Sequence, residues 1–310
     1  HNLLRSRLKM NIKLPDTQCG YVAIVGRPNV GKSTLLNHLI GQKISITSRK
    51  PQTTRHRMLG ILTKERLQVV FVDTPGMHLE EKRAINRYMN RAASSSLNDV
   101  DLIIFIVDCT IWNDDDALVL QKIKTSKVPV ILLVNKVDKI SDKNILLPHL
   151  DWLSKQYDFE AIYPASALKG TNIDALHKQI AKAMPACEFI YPEEFITDRS
   201  MRFLAAEAIR EKLIRQLGSE LPYSMTVEIE KFETDAKGIM HISAVILVER
   251  SGQKRIVIGK AGQRLKQVGQ DARLDLEKLF DSKIFLQLWV KVKDGWADDE
   301  KALKSLGFNE

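Results

Sequence analysis

Cysteine is scarce: 310 residues hold three, Cys19, Cys109 and Cys187, widely separated along the chain. No CxxC pair occurs, and an odd count argues against a disulfide framework, so a reducing cytosol fits best. Long apolar runs are missing as well. The longest, 102–107 and 128–134, fall far short of the roughly 20 residues that a membrane helix needs. No apolar export-signal core stands near the N-terminus. Internal repeats and low-complexity tracts are absent, which excludes collagenous, repeat-array and disordered polypeptides. The first residue is His1. Met10 is read as the native start, and residues 1–9 as an extension set aside from the fold.

What is present suits a globular chain of two domains: 44% hydrophobic and 27% charged residues over a length that can bury a sizeable core. The net charge of +9 favours polyanionic partners, nucleic acid or an acidic membrane surface.

From residue 21 to about 184, short apolar runs alternate with helical stretches. The runs are 21–25, 67–72, 102–107, 130–134 and 161–163; the helical stretches are 32–40, 83–97, 115–124 and 172–183. Several runs are apolar on consecutive positions, as strands covered on both faces should be. The expected fold class is therefore α/β, a doubly wound and mostly parallel sheet, with ligands at the C-terminal ends of the strands. A stretch with Pro185 and Pro192 and no periodicity reads as a linker. Beyond it the grammar changes. An amphipathic helix over 201–217 ends at Gly218, and two strands, 225–232 and 239–248, flank the turn Asp235-Ala236-Lys237-Gly238. A glycine-flanked turn follows at 259–262, then a helix to about Phe280 and a strand near 285–292. That order, α-β-β-α-α-β, is a smaller α+β domain. The expected division is 1–19, an N-terminal extension; 20–184, the first domain; 185–198, the linker; and 199–310, the second domain.

Gly26-Arg27-Pro28-Asn29-Val30-Gly31-Lys32-Ser33 fits G-x-x-x-x-G-K-[ST] between a strand and a helix that continues through Thr34. Its glycines let the backbone wrap a phosphate, and the N–H groups and helix N-terminus supply fixed positive potential. Lys32 should reach the β- and γ-phosphates, and the Ser33 hydroxyl should bind Mg²⁺. Asp73-Thr74-Pro75-Gly76 follows the second apolar run. An acid there can hold Mg²⁺ through water, and the Gly76 N–H can sense the γ-phosphate. In Asn135-Lys136-Val137-Asp138, the Asp138 carboxylate can accept from the N1–H and 2-amino groups of guanine. Adenine lacks both donors, so the motif selects GTP over ATP. Ser166-Ala167-Leu168 could set a backbone N–H against the guanine O6.

These four elements, in this order, resemble the translation-factor-like branch of the small GTPases over about residues 20–185. The resemblance makes Lys50-Pro51-Gln52-Thr53-Thr54-Arg55 the first switch and selects Thr54 as its Mg²⁺-binding threonine, with Thr53 the runner-up. Lys32, Thr54 and Gly76 are the catalytic set it implies. Many such enzymes carry a water-orienting glutamine just after the second-switch glycine, whereas Met77 stands here. His78 follows, readable as a base or as a solvated surface residue. Intrinsic hydrolysis should be slow and rest on positioning and charge neutralisation by Lys32, Mg²⁺ and backbone donors. Asn29 has two readings. In GTPases lacking that glutamine, an asparagine at this position helps hold K⁺ beside the β- and γ-phosphates; alternatively it makes a turn hydrogen bond.

In the second domain, Arg250, Lys254, Arg255, Lys260, Arg264 and Lys266 form a basic stretch without an acid. The domain as a whole is only +2, with 19 basic and 17 acidic side chains over 200–310, so this charge is local. At its centre is Gly259-Lys260-Ala261-Gly262, preceded by Ile256-Val257-Ile258. A G-x-x-G loop between helices admits a nucleic-acid backbone closely. In the α-β-β-α-α-β order it resembles a type II KH domain, with Arg255, Ile258, Gly259, Lys260, Ala261, Gly262 and Arg264 as the RNA-binding set.

A GTPase followed directly by a type II KH domain resembles the Era-type family of bacterial GTPases, through GRPNVGKSTLLN, KPQTTRHR, DTPG, NKVD, SALKG and IGKAGQ. The family implies work in maturation of the small ribosomal subunit, with the KH domain holding the 3′ end of its ribosomal RNA. It also implies a cytoplasmic monomer with peripheral contact at the inner membrane. Two other classes stand beside this reading: an RNA-binding assembly protein with GTP as a structural ligand, and a membrane-surface GTPase suggested by Arg5, Arg7, Lys9 and Lys13.

Overall fold

The computed structural model describes residues 15–48, 50, 53–77, 84–97, 99–217, 224–299, 301 and 303. Readings placed on residues 1–14 and on Pro51, Gln52, His78 and Gly218 lie outside the described residues. Among the described residues, the first sheet has six strands: β1 (Gln18–Val25), β2 (Met58–Lys64), β3 (Leu67–Asp73), β4 (Leu102–Asp108), β5 (Val130–Asn135) and β6 (Ala161–Pro164). Their spatial order is β2-β3-β1-β4-β5-β6, parallel throughout except that β2 runs antiparallel to β3. The helices that cover it are α1 (Lys32–Ile40), α2 (Ala84–Ser95), α3 (Asp114–Ile123), α4 (Leu146–Ser154) and α5 (Ile173–Ala183).

The consecutive apolar runs feed two cores. Alternate residues Val22, Ile24, Ile104, Ile106, Ile131 and Leu133 pack against Leu35, Leu36 and Leu39 of α1 and Ile173, Leu176 and Ile180 of α5. Their neighbours Ala23, Val25, Ile103, Phe105, Val107, Leu132 and Val134 pack against Ala93, Val119, Leu120, Ile123 and Leu153 on the opposite face. A doubly wound sheet is the arrangement that buries both sets.

Two elements had no counterpart in the sequence reading. Edge strand β2 is interrupted by Gly60, and its turn into β3 places Glu65 in the left-handed region (φ 54°) without the usual Gly or Asn. Helix α4 carries Pro148 in its first turn. The expected strand ends also move: Asp73, Asp108 and Asn135 are last strand residues rather than loop residues. Helix α3 starts at Asp114 because Asn113 caps it, its side chain accepting from the Asp116 N–H while Asp116 accepts from the Asn113 N–H.

The second sheet has order β7-β8-β9, from β7 (Met225–Thr234), β8 (Met240–Val248) and β9 (Ile284–Val292). The β7–β8 pair is antiparallel and β8–β9 parallel. Helices α6 (Met201–Gln216), α7 (Ser251–Ile258) and α8 (Gln263–Phe280) complete the expected order. Ile209, Leu213, Val257, Val268 and Ala272 bury against Ala244, Ile246, Val248 and Val290. Among the described residues no helix is long and apolar enough to cross a membrane.

The stretch read as a linker is tied down along the first sheet. Cys19 N–H donates to the Pro185 carbonyl, Cys187 N–H to that of Thr17, and Ile61 N–H to that of Ile196. Gln68, fully buried, is the hub. Its Oε1 accepts from the Ile190 and Tyr191 N–H groups at 2.9 and 3.0 Å, while its Nε2 donates to the Tyr191 carbonyl at 2.8 Å and to Thr63 Oγ1 at 3.0 Å. Gln68→Leu removes the acceptor of two partly buried N–H groups, so it should cost about 1–3 kcal/mol, read as a lowered midpoint in urea unfolding.

Candidate nucleotide site and KH surface

The strand ends and the turns after them converge on a cleft of about 390 Å³, lined by Pro28, Asn29, Gly31, Lys32, Ser33, Thr34, Thr54, Gly76, Asn135, Lys136, Asp138 and Leu168 among others. The phosphate loop needs left-handed backbone at Asn29 (φ 64°) and Gly31 (φ 110°). A Cβ on Gly31 would strike Asn135 Nδ2. Gly76 makes the same demand from the other side, since a Cβ there would lie 2.6 Å from the Pro28 backbone. Lys32 Nζ donates to the Gly26 and Arg27 carbonyls at 3.1 and 2.9 Å, and burial lowers its pKa to about 8.

Asn135 joins three motifs: its Nδ2 donates to the Val30 carbonyl at 2.7 Å, and its Oδ1 accepts from Ala167 N–H at 2.9 Å. Lys136, itself left-handed (φ 72°), pairs with Asp108 at 3.0 Å. Asp138 Oδ1 accepts from Ser166 Oγ at 2.5 Å. Leu168, 70% exposed, borders the cleft. Some motif side chains turn elsewhere. Arg27 pairs with the buried Asp116 of α3 at 2.9 Å, and Thr74 Oγ1 donates to the Ile24 carbonyl. Val30 and Pro75 are buried, and the side chains of these four do not line the cleft. Met77 is fully buried in the core beneath α3.

Ser33 Oγ shares a hydrogen bond of 2.8 Å with Thr54 Oγ1 and donates to Asp73 Oδ2 at 2.9 Å. Thr53 also lines the cleft, but its hydroxyl is spent on Ser48 Oγ and the Lys50 carbonyl. Asp73 is fully buried; burial pushes its pKa up, opposed by Lys32, Ser33 and Ser45. Its Oδ1 has no hydrogen-bond partner among the described residues. One carboxylate with an orphaned oxygen, beside two hydroxyls, fits Mg²⁺, a hard ion that takes its remaining ligands from phosphate and water.

Lys43, Thr47, Lys50 and Thr53 lie against α6. Thr47 N–H donates to Glu211 Oε1 at 2.9 Å, and Lys43 Nζ to Glu211 Oε2 at 2.5 Å and to Asp275 of α8 at 3.1 Å. Arg210 donates to the Thr53 carbonyl, and Lys50 Nζ to that of Ile214 at 2.6 Å. Arg55 Nη1 donates to the Met225 carbonyl at 2.8 Å. His56 sits between Phe203 and Tyr88, and burial takes its pKa down to about 3. Arg210, Glu211 and Ser45 did not figure in the sequence reading, because their contacts join positions far apart in the chain.

At the second candidate surface, Gly259 (φ 76°), Ala261 (φ 49°) and Gly262 (φ 76°) make the sharp loop between α7 and α8. Arg255, Lys260 and Ala261 are exposed; Ile258 packs on the core, and Arg264 turns back to the Ile256 carbonyl. Beside the loop runs a groove lined by Gly262, Leu265, Lys266, Gly269, Gln270, Arg273, Leu286 and Leu288. The helical spacing 262, 265, 269, 273 was the available signal for it.

A phosphate loop on a doubly wound sheet, followed by an α-β-β-α-α-β unit with a G-x-x-G turn, defines a P-loop GTPase with a C-terminal KH domain. The family described as 50S ribosome-binding GTPase matches residues 21–136, and the KH domain family matches 220–297. GTPase Era of Ectopseudomonas mendocina is 61% identical over 294 residues, covering 95% of this chain and 98% of the relative. GTPase Era of Haemophilus ducreyi is 59% identical over 301 residues, with 97% and 99% covered. The crystal structure of Era in complex with MgGDPNP and nucleotides 1506–1542 of 16S ribosomal RNA superposes with a TM-score of 0.91 at 41% identity, over 95% of this chain and all of that one. A single-residue variant of Aquifex aeolicus Era, bound to GDP and AlF4⁻, gives the same values. The chain belongs to the GTPase Era family, and it is a GTP-hydrolysing enzyme.

Gly31→Ala should abolish GDP binding in a fluorescent-nucleotide titration. Gly41→Ala is the control: its φ is 77° but it faces open space. It should cost about 1 kcal/mol of stability and leave binding intact.

Proposed function

We propose that this chain is a GTP-driven switch that binds the 3′ end of small-subunit ribosomal RNA through its KH domain and assists maturation of the small ribosomal subunit. The carrying observation is that the residues flanking Thr54 are bonded to the KH unit: Arg210 donates to the Thr53 carbonyl and Arg55 to that of Met225. The Era relative solved with a 16S ribosomal RNA fragment supports the choice of RNA. The domain division proposed is 20–184 for the GTPase, 185–198 for the linker and 199–310 for the KH domain. The two sheets support it by falling one on each side of the linker.

In this reading Gly26 to Thr34 wrap the phosphates and Lys32 neutralises the β- and γ-phosphates. Mg²⁺ is held by Ser33, Thr54 and Asp73 and supplies charge neutralisation at the phosphates. The Gly76 N–H faces the γ-phosphate, Asp138 reads the guanine edge, and the Ser166-Ala167-Leu168 turn closes over the base. Hydrolysis is slow without a partner; the burial of Met77 supports this, since nothing in its side chain can order water. Asn29 is assigned K⁺ beside the β- and γ-phosphates, supported by its place on the cleft wall. The protein acts as a cytoplasmic monomer with peripheral contact at the inner membrane, supported by its charge of +9 and three free thiols.

Arg255, Lys260 and Arg264 meet RNA phosphates at the G-x-x-G loop, and the Leu265–Leu286–Leu288 groove floor covers unstacked bases. Replacing Lys260 and Ala261 by Asp should lower affinity for a 3′-terminal small-subunit RNA oligonucleotide at least 100-fold at moderate salt, measured by fluorescence anisotropy. GTP affinity should stay unchanged. Equal RNA affinity in the double variant overturns the RNA assignment. For Asn29, hydrolysis should run faster in K⁺ than in Na⁺ at matched ionic strength, and Asn29→Ala should erase the difference. Equal rates in the parent make Asn29 a turn residue.

A further inference from the structure

We propose that Ser45 is a positioning residue for the reaction, acting through Asp73. Ser45 is buried, and its hydroxyl donates to Asp73 Oδ2 at 2.9 Å, on the same oxygen and at the same distance as Ser33. Its backbone is held from both sides by Asn37 of α1. Asn37 Oδ1 accepts from the Ile44 and Ser45 N–H groups at 2.9 Å each, and its Nδ2 donates to the Ser45 carbonyl at 2.7 Å. The hydroxyl is therefore presented to Asp73 from a fixed frame. Two donors on Oδ2 hold the carboxylate in one orientation and leave Oδ1 as the oxygen free for the metal shell. Of the two, Ser33 is itself assigned to the ion, so Ser45 is the donor whose whole task is the carboxylate. Charge-assisted hydrogen bonds in a buried site are the strong kind, and losing one lets the carboxylate turn.

The same short segment carries this orientation outward. Two residues beyond Ser45, Thr47 gives its N–H to Glu211 of α6, so the docked segment and the oriented carboxylate share one stretch of backbone. The inference rests on Asp73 as the metal carboxylate, and the test separates the two claims.

The measurement is the release of a fluorescent GDP from full-length protein as Mg²⁺ is titrated from an EDTA baseline, for the parent, Ser45→Ala, Asp73→Asn and the double variant. Thermal unfolding of each establishes that it is folded. Ser45→Ala should raise the Mg²⁺ concentration for half-maximal slowing of release about tenfold while leaving the EDTA rate unchanged. Added to Asp73→Asn, it should produce no further shift, because a residue acting through Asp73 has nothing left to orient. A Ser45→Ala curve that superimposes on the parent, or shifts that add in the double variant, overturns the proposal. An Asp73→Asn curve identical to the parent overturns the metal assignment beneath it.

Discussion

Glu211 is a fully buried carboxylate on α6, and the arrangement of the two domains is organised around keeping it satisfied. Lys43 and the Thr47 N–H come to it from the GTPase domain, Lys212 and Arg215 from its own helix. A buried ion pair is weak evidence for net stability, because desolvation offsets much of the attraction. It is strong evidence for specificity of placement. Removing the segment 43–47 would leave the carboxylate short of its partners from the GTPase domain, so few other dockings of these two domains are tolerated. The segment thereby serves two masters: the Ser45 hydroxyl meets Asp73, while the Lys43 ammonium and the Thr47 N–H and hydroxyl meet the KH helix.

The second switch region is engaged by a separate contact of a different kind. Ile85, Tyr88 and Met89 of α2 pack with Trp296, Ala297 and Leu303, which follow the last KH strand. Arg55 stands between the two contacts, its guanidinium 5.9 Å from the Trp296 ring centre and bonded to the Met225 carbonyl. One contact is polar and directional, the other apolar and adaptable. A movement of either segment therefore meets resistance from the KH domain.

Legibility followed the range of the interactions. The phosphate loop, DTPG, NKVD and the G-x-x-G turn are local motifs whose backbone requirements are written in consecutive residues, and each came out on a strand end or between helices as its chemistry demands. The doubly wound sheet was readable because both faces of β1, β4 and β5 are covered. Strand β2 was not, since its pairing with β3 outweighs Gly60 and an unconventional turn. Side-chain direction was the other gap. Arg27 and Thr74 sit inside phosphate-binding motifs yet spend their polar atoms on Asp116 and Ile24, and Arg264 bonds the Ile256 carbonyl. The preference for Thr54 over Thr53 was available only through family pattern; in the structure the two hydroxyls point to opposite partners. Gln68 and Asn37 were invisible because an isolated polar residue in an apolar run carries no periodic signal about what it binds elsewhere in the chain, and Glu211 because, between Arg210 and Lys212, it reads as one of a charged helix face.

The strapped linker has a consequence for the size of the forces involved. Its last anchors to β2 are the pairing of Thr197 with Gly60 and the Leu59 N–H bonded to Asp198, and α6 begins at Met201. Only two residues of chain separate a point fixed on the GTPase sheet from the helix that receives the switch. Docking of the KH domain is then an intramolecular association at an effective concentration of millimolar or more. Contacts that would bind two separate proteins only feebly suffice to hold the domains together. The same arithmetic works in reverse: with the entropic cost of association already met by the tether, the docked and undocked states need differ by only a few kcal/mol.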